Sequence, residues 1–263
     1  MGDGLFGDLP AIEVPLSRAP LKRVLAQVRF PSVPDLALPE GQHRFTQSLR
    51  SLYPIARQQS GINLVIGPEG VTQQASQSMV WQLHSKDEEW QVSFSDGFVA
   101  LETKRYTSRQ DFCKRFTSIL ESLSAVAEPV MCDRIGIRYI NQVSDREVLE
   151  NLDRYLQAHV LGGWGLSRLT ERATLLQSVN ESLFSYGADK MLVRTGWIPA
   201  GRSVEPTIPV LDSDTWVLDL DSFVDTAEDF SADHVARKVR DLADAAYSGF
   251  RTLVKEEFLK HYS

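Results

Sequence analysis

The stretch Asp133–Val143, DRIGIRYINQV, decides how the rest of the chain is read. Its side chains alternate, with Ile135, Ile137 and Tyr139 on one face and Arg138 on the other, which is the two-residue period of a strand. Asn141, three residues beyond Arg138, falls on the opposite face from it. An earlier segment, Arg23–Arg29 (RVLAQVR), aligns without gaps on Arg134–Ile140 (RIGIRYI). Val24, Ala26 and Val28 then take the places of Ile135, Ile137 and Tyr139. The echo marks the first strand of two similar halves, residues 1–130 and 131–263.

Each half continues in the same order. After LKRVLAQVRF and the Pro-rich loop PSVPDLALPEG, a helix is expected with Phe45, Leu49 and Leu52 on one face and Pro54 at its end. INLVIGP, SMVWQLHS, WQVSFS and FVALETKRY are separated by turn residues and read as an antiparallel meander. A second helix follows, capped by Ser108, with Phe112, Phe116, Ile119, Leu120 and Leu123 as its apolar stripe. In the other half a helix capped by Ser144 runs over SDREVLENLDRYLQAHVLGG and stops at glycine, with LGGWGLS as its cap and loop. RATLLQSVN, MLVRTGWI and TWVLDLDSF read as strands, and one long helix closes the chain from Ser231 onward. The fold class is therefore α+β: two β-α-β(n)-α halves, each a curved antiparallel sheet packed on a long helix.

Composition narrows the function classes. At 263 residues and 43% hydrophobic content the chain is an ordinary globular protein, with no apolar run near the roughly 20 residues of a membrane span. The start MGDGLF has no signal-peptide pattern and fits a myristoylation signal only at Gly2, because Phe6 stands where Ser or Thr is wanted. A cytoplasmic location is expected, with Cys113 and Cys132 as reduced, buried thiols. The net charge of −7 divides into −1 over residues 1–130 and −6 over 131–263. That balance disfavours nucleic acid, which is bound by basic charge, and suits a protein partner or self-association.

The stretches APLKRVLAQVRF, EWQVSFSDGFVALETKRYTSRQDFCKRF, RIGIRYIN and WVLDLDSF, in that order, resemble a sporadically distributed bacterial family of uncharacterised proteins of about this length. Each half is also similar in its order of elements to helix-grip and TATA-box-binding-protein-like architectures. The resemblance implies a shared scaffold and brings no catalytic residues with it.

Several residues are candidates for a site. Arg138 and Asn141 have the donors and acceptor to hold a carboxylate or phosphate, but the preferred reading is structural: Arg138 pairs with an acid across the sheet and Asn141 bonds a neighbouring loop. Trp81 and Trp90 flank the turn SKDEE and could line a concavity for an apolar small-molecule ligand, packing being the plainer role. The run Asp212–Asp233 holds eight acids and no Lys or Arg. Within it Asp219 and Asp221 face the same way on one strand and read as a solvated acidic face, a docking surface for a basic partner rather than a metal site. Lys104, Arg105, Arg109, Lys114 and Arg115 make the one basic patch near aromatics, read as a solvated helix face. No nucleophile elbow, phosphate loop, dinucleotide fingerprint or paired-histidine metal motif occurs. Neither cofactor, metal nor autonomous catalysis is expected, and the function read from the chain is binding or regulation through protein contact. The alternative is an enzyme or ligand-binding protein with a site around Arg138 and Asn141.

Overall fold

The computed structural model describes residues 13–67, 70–169, 172–203, 205 and 208–263, and side chains outside 60–78. The myristoylation reading at Gly2 and Phe6 lies outside these residues.

The first strand, β1 (Leu21–Arg29), buries Val24, Ala26 and Val28 and leaves the alternate side chains half-buried, as its period requires. The Pro-rich loop is in fact two helices, α1 (Pro34–Ala37) and α2 (Pro39–Leu49), each opened by a proline. Proline suits that first position because its missing N–H is one the helix cannot use and its φ is already helical. With the helix ending at Arg50, Leu52 turns to solvent and Tyr53 is buried instead. Strands β2 (Ile55–Gly67), β3 (Gly70–His84), β4 (Trp90–Ser95) and β5 (Phe98–Thr103) form the expected meander. β5 returns to pair antiparallel with β1, from Val24 opposite Thr103 to Arg29 opposite Phe98. Helix α3 (Arg109–Ala127) starts where Ser108 Oγ accepts from the Asp111 N–H, and it buries the predicted stripe.

The short β6 (Met131–Cys132) precedes β7 (Arg134–Val143), whose residues are all buried except half-buried Tyr139. The single helix expected next is broken into α4 (Arg146–Glu150), α5 (Leu152–Tyr155), a 3₁₀ turn at Ala158–Val160 and α6 (Gly162–Ser167). Its cap is Asp145, which accepts from Glu147 and Val148, and not Ser144. Strands β8 (Ser178–Tyr186), β9 (Asp189–Ile198) and β10 (Thr215–Val224) follow, then β11 (Glu228–Asp229). The terminal helix is two, α7 (Ala232–Leu253) and α8 (Glu256–Tyr262). The break after Tyr155 and the break between α7 and α8 have one cause: Leu156 and Val254 pair as an isolated bridge, and Lys255 N–H donates to Tyr155 C=O at 2.8 Å, so each segment is extended where it meets the other.

The strands run in the order β2-β3-β4-β5-β1-β7-β10-β9-β8, with β6 and β11 paired separately. Two compact units are discontinuous in sequence: one comprises Val24–Ile137 and Phe223–Ala243, the other Met1–Arg23, Arg138–Ser222 and Asp244–Ser263. Neither unit is continuous in sequence, whereas the halves expected from sequence, 1–130 and 131–263, are. The core of the first includes Phe45, Phe94, Phe112 and Phe116, with the Phe45 and Phe94 rings edge to face at 4.8 Å. The core of the second gathers Val143, Leu152, Tyr155, Met191, Trp216, Leu218 and Phe258 from strands and helices.

Candidate functional site

In the second unit, Trp216, Leu218 and Leu220 of β10 belong to the apolar core, so strand alternation turns Asp219 and Asp221 to the other face. There a chain of charges crosses four strands, β7, β10, β9 and β8. Arg138 of β7 donates from Nε to Asp219 Oδ1 at 2.8 Å and from Nη2 to Asp219 Oδ2 at 2.6 Å. The same Nη2 donates to Glu205 Oε2 at 2.7 Å. Arg194 of β9 donates to Asp219 Oδ2 at 3.0 Å and, through Nη2, to Glu181 Oε2 at 2.6 Å. Glu181 stands directly opposite Arg194 in the β8–β9 register. Burial pulls the Arg138 guanidinium down, but the charge and hydrogen bonds of Asp219, then Glu205, outweigh it and hold it above its ordinary value.

This corrects the reading of Asp219 and Asp221 as a solvated docking face. Each is 3% exposed, and both oxygens of Asp219 already accept from guanidinium groups. The acids that do face solvent in this run are Asp212, Asp214, Asp225, Asp229 and Asp233. Among the described residues, no group of three His, Cys, Asp or Glu could hold a metal ion. Asn141 donates through Nδ2 to Leu218 C=O at 3.3 Å, so its partner is the neighbouring strand and not a loop. Arg138 and Asn141 lie on opposite faces of β7 and do not converge on one ligand.

Trp81 and Trp90 belong to the first unit and act as packing. Trp81 donates from Nε1 to Gln42 Oε1 at 3.0 Å and stacks on Phe94 with ring centroids 6.3 Å apart. Trp90 is buried beneath the Arg115 guanidinium, 4.4 Å from its ring centroid, and beside Phe112. Arg115 is in turn paired with Asp111, which takes it out of the basic patch. The two cysteines are free and buried, and burial together with the Glu228 charge pushes the Cys132 thiol up to about 11. Such a thiol is a poor nucleophile.

The exposed feature of the second unit is β8. It ends the strand order, and among the described residues β9 is its one neighbour in the sheet. Val179 to Ser185 are all exposed, a run that includes Val179, Leu183 and Phe184. Leu166 of α6, Leu169 and Leu176 are also exposed, each by more than two thirds. Helix α6 packs against β8 through glycine: a Cβ on Gly162 would lie 2.1 Å from Asn180 Nδ2, and one on Gly163 2.7 Å from Ser178 Oγ. Natural sheet edges are usually blunted by Lys, Pro, a bulge or shortness. β8 is nine residues long, has neither Lys nor Pro, and holds continuous register with β9 from Ser178 to Tyr186. Its one charge, Glu181, is already held by Arg194.

Glu181, Arg194 and Glu205 were not candidates from sequence, since nothing in their spacing links them. The edge strand was also misplaced, as RATLLQSVN ends where β8 is beginning. The missed signal is the tight turn Gly187–Ala188 before MLVRTGWI: Gly187 has φ of +62°, and Tyr186 pairs with Asp189 across it.

No protein-family model and no curated protein sequence matches the chain.

Proposed function

We propose that the protein is a binding or regulatory protein that works through protein contact, with the open edge of β8 as the docking element and strand addition as the mode. The observation that carries this reading is a nine-residue edge strand, exposed from Val179 to Ser185, with apolar side chains and without Lys, Pro or a bulge. An added strand gains main-chain hydrogen bonds from the N–H and C=O groups that face away from β9 and have no partner among the described residues, and Val179 and Leu183 supply side-chain contacts. The rival, an anionic ligand held by Arg138, has less support, because such a ligand would have to displace Asp219 or Glu205 from a buried guanidinium.

The same proposal takes the chain as a cytoplasmic protein of duplicated, TATA-box-binding-protein-like design. Supporting the duplication is the order of strands, in which a meander β3-β4-β5 leads back to β1 and a meander β8-β9-β10 leads back to β7. Supporting the location are two free, buried cysteines.

The test is native mass spectrometry of the protein purified from its own host, alongside Leu183→Lys. The proposal expects wild type to carry a protein chain and the variant to lose it with an unchanged unfolding midpoint. A bare chain retaining a small molecule, or a complex indifferent to Leu183→Lys, would overturn it.

A further inference from the structure

Resting on the edge-strand reading, we infer that the occupant of β8 is β8 of a second copy, paired antiparallel about a two-fold axis at Leu183. A strand paired antiparallel with itself obeys two-fold symmetry, so an open edge is self-complementary in its backbone, and the symmetry closes at two copies.

Charge supports this occupant. The chain carries −7 overall, which opposes close approach of two copies across most surfaces. β8 is an exception, because its single acid is neutralised within the same copy by Arg194 at 2.6 Å. A basic partner segment finds no unpaired acid on the strand, whereas a neutral, apolar strand of the same kind meets it without net repulsion in any register that keeps the two Glu181 carboxylates apart.

Side-chain pairing then selects the register. Centred on Glu181, the two carboxylates would sit face to face, which is destabilising. Centred on Ser182, each Glu181 would face Leu183 of the other copy. Centred on Leu183, the leucines meet each other, Phe184 faces Ser182, and Glu181 faces the hydroxyl of Ser185. The ladder then runs from Asn180 to Tyr186 in both copies, within the limits of the strand. A stable dimer buries about 1,200–2,000 Å² in total, and the exposed leucines 166, 169 and 176 in the segments flanking β8 extend the apolar surface beyond the ladder.

Sedimentation velocity of the purified full chain over about 1 to 100 μM tests the inference. The expected result is a species of twice the 29.6 kDa chain mass, with Leu183→Lys and Phe184→Lys each weakening self-association at least tenfold. Far-ultraviolet circular dichroism checks that both variants remain folded. The register is read by mild oxidation of single-cysteine additions, since facing residues have Cα atoms about 4.5–5.5 Å apart, within disulfide reach. Leu183→Cys should cross-link to itself faster than Glu181→Cys or Ser185→Cys, and a different fastest position overturns the register. A dimer indifferent to both lysine variants overturns the inference. So does a wild type that stays monomeric throughout, and its cause is then separable: if Leu183→Lys still loses a different host protein, only the identity of the occupant was wrong. If it loses none, the edge-strand reading falls as well.

Discussion

At the scale of the residue, Asp219 is the keystone of the ion network because two buried guanidinium groups depend on it. Arg138 and Arg194 are 4% and 8% exposed, and removing the carboxylate leaves both short of their partner inside the protein. A buried pair adds little over an apolar replacement, but breaking one costs about 3–5 kcal/mol. Asp219→Ala should therefore lower the unfolding free energy by that amount in urea denaturation. Glu181→Gln removes an acid at the partly exposed end of the chain and should cost no more than about 1 kcal/mol. Equal losses for the two would mean that the network does not depend on Asp219. Histidine 84 makes a second case. Its ring is buried on β3 with Nε2 unpartnered among the described residues, and burial followed by the charge of Arg57 lowers its pKa from 6.5. Lys104 acts in the same direction, and Glu88 and Glu102 against it. The unfolded chain thus binds a proton at higher pH than the folded one. The stability tied to neutral His84 is full above pH 6.5 and is lost as pH falls through the folded value. His84→Gln should flatten that part of the stability profile, measured by denaturant titration at a series of pH values. An unchanged slope would place the acid sensitivity elsewhere.

At the scale of the element, the open strand makes a prediction that needs no mutation. In an isolated copy, the β8 amides that point away from β9 have no partner among the described residues and should exchange with solvent deuterium at once. Those pointing at β9 should be slow. Across concentrations spanning self-association, the outward amides of β8 should become protected while those of the buried strand β7 stay as they are. Outward amides already protected in a dilute monomer would mean that the edge is covered from within the chain. The elements also explain what was legible from sequence. Strands β1 and β7 and helix α3 each bury one face or both, so their apolar periods were plain, and Ser108 announced its cap. β8 buries neither face and leaves no period to read. The paired breaks at Leu156 and Val254 were hidden for another reason: each segment keeps helical spacing, and only the contact between distant parts of the chain forces both to extend. The ion network was half legible. A cross-strand acid for Arg138 followed from an arginine inside a strand, but Glu205 comes from a loop whose position no local pattern specifies.

At the scale of the whole molecule, the two halves expected from sequence and the two compact units differ in a way that can be tested by cutting the chain. The unit built on Val24–Ile137 also needs Phe223–Ala243. There the Phe230 ring meets Phe30 at 6.5 Å, Glu228 pairs with Cys132 in β6–β11, and Val235 and Val239 are fully buried. The other unit needs Met1–Arg23 from the opposite end of the sequence, where Gln142 N–H donates to Pro20 C=O and Leu16 packs on the core. A fragment of residues 1–130 therefore lacks part of its own core and leaves the apolar faces of α3 and the β1–β5 meander partly uncovered. Burial lost at two valines and a phenylalanine alone is worth several kcal/mol, comparable with the whole stability of a typical domain. Expressed alone, residues 1–130 and 131–263 should each show poor amide dispersion in proton–nitrogen spectra and bind hydrophobic dye. Mixed during refolding, they should restore a dispersed spectrum, because every core contact is then available without the peptide bond between 130 and 131. Either fragment giving a sharp, dispersed spectrum alone would show that a sequential half is a folding unit in its own right, and that the discontinuous segments only decorate it.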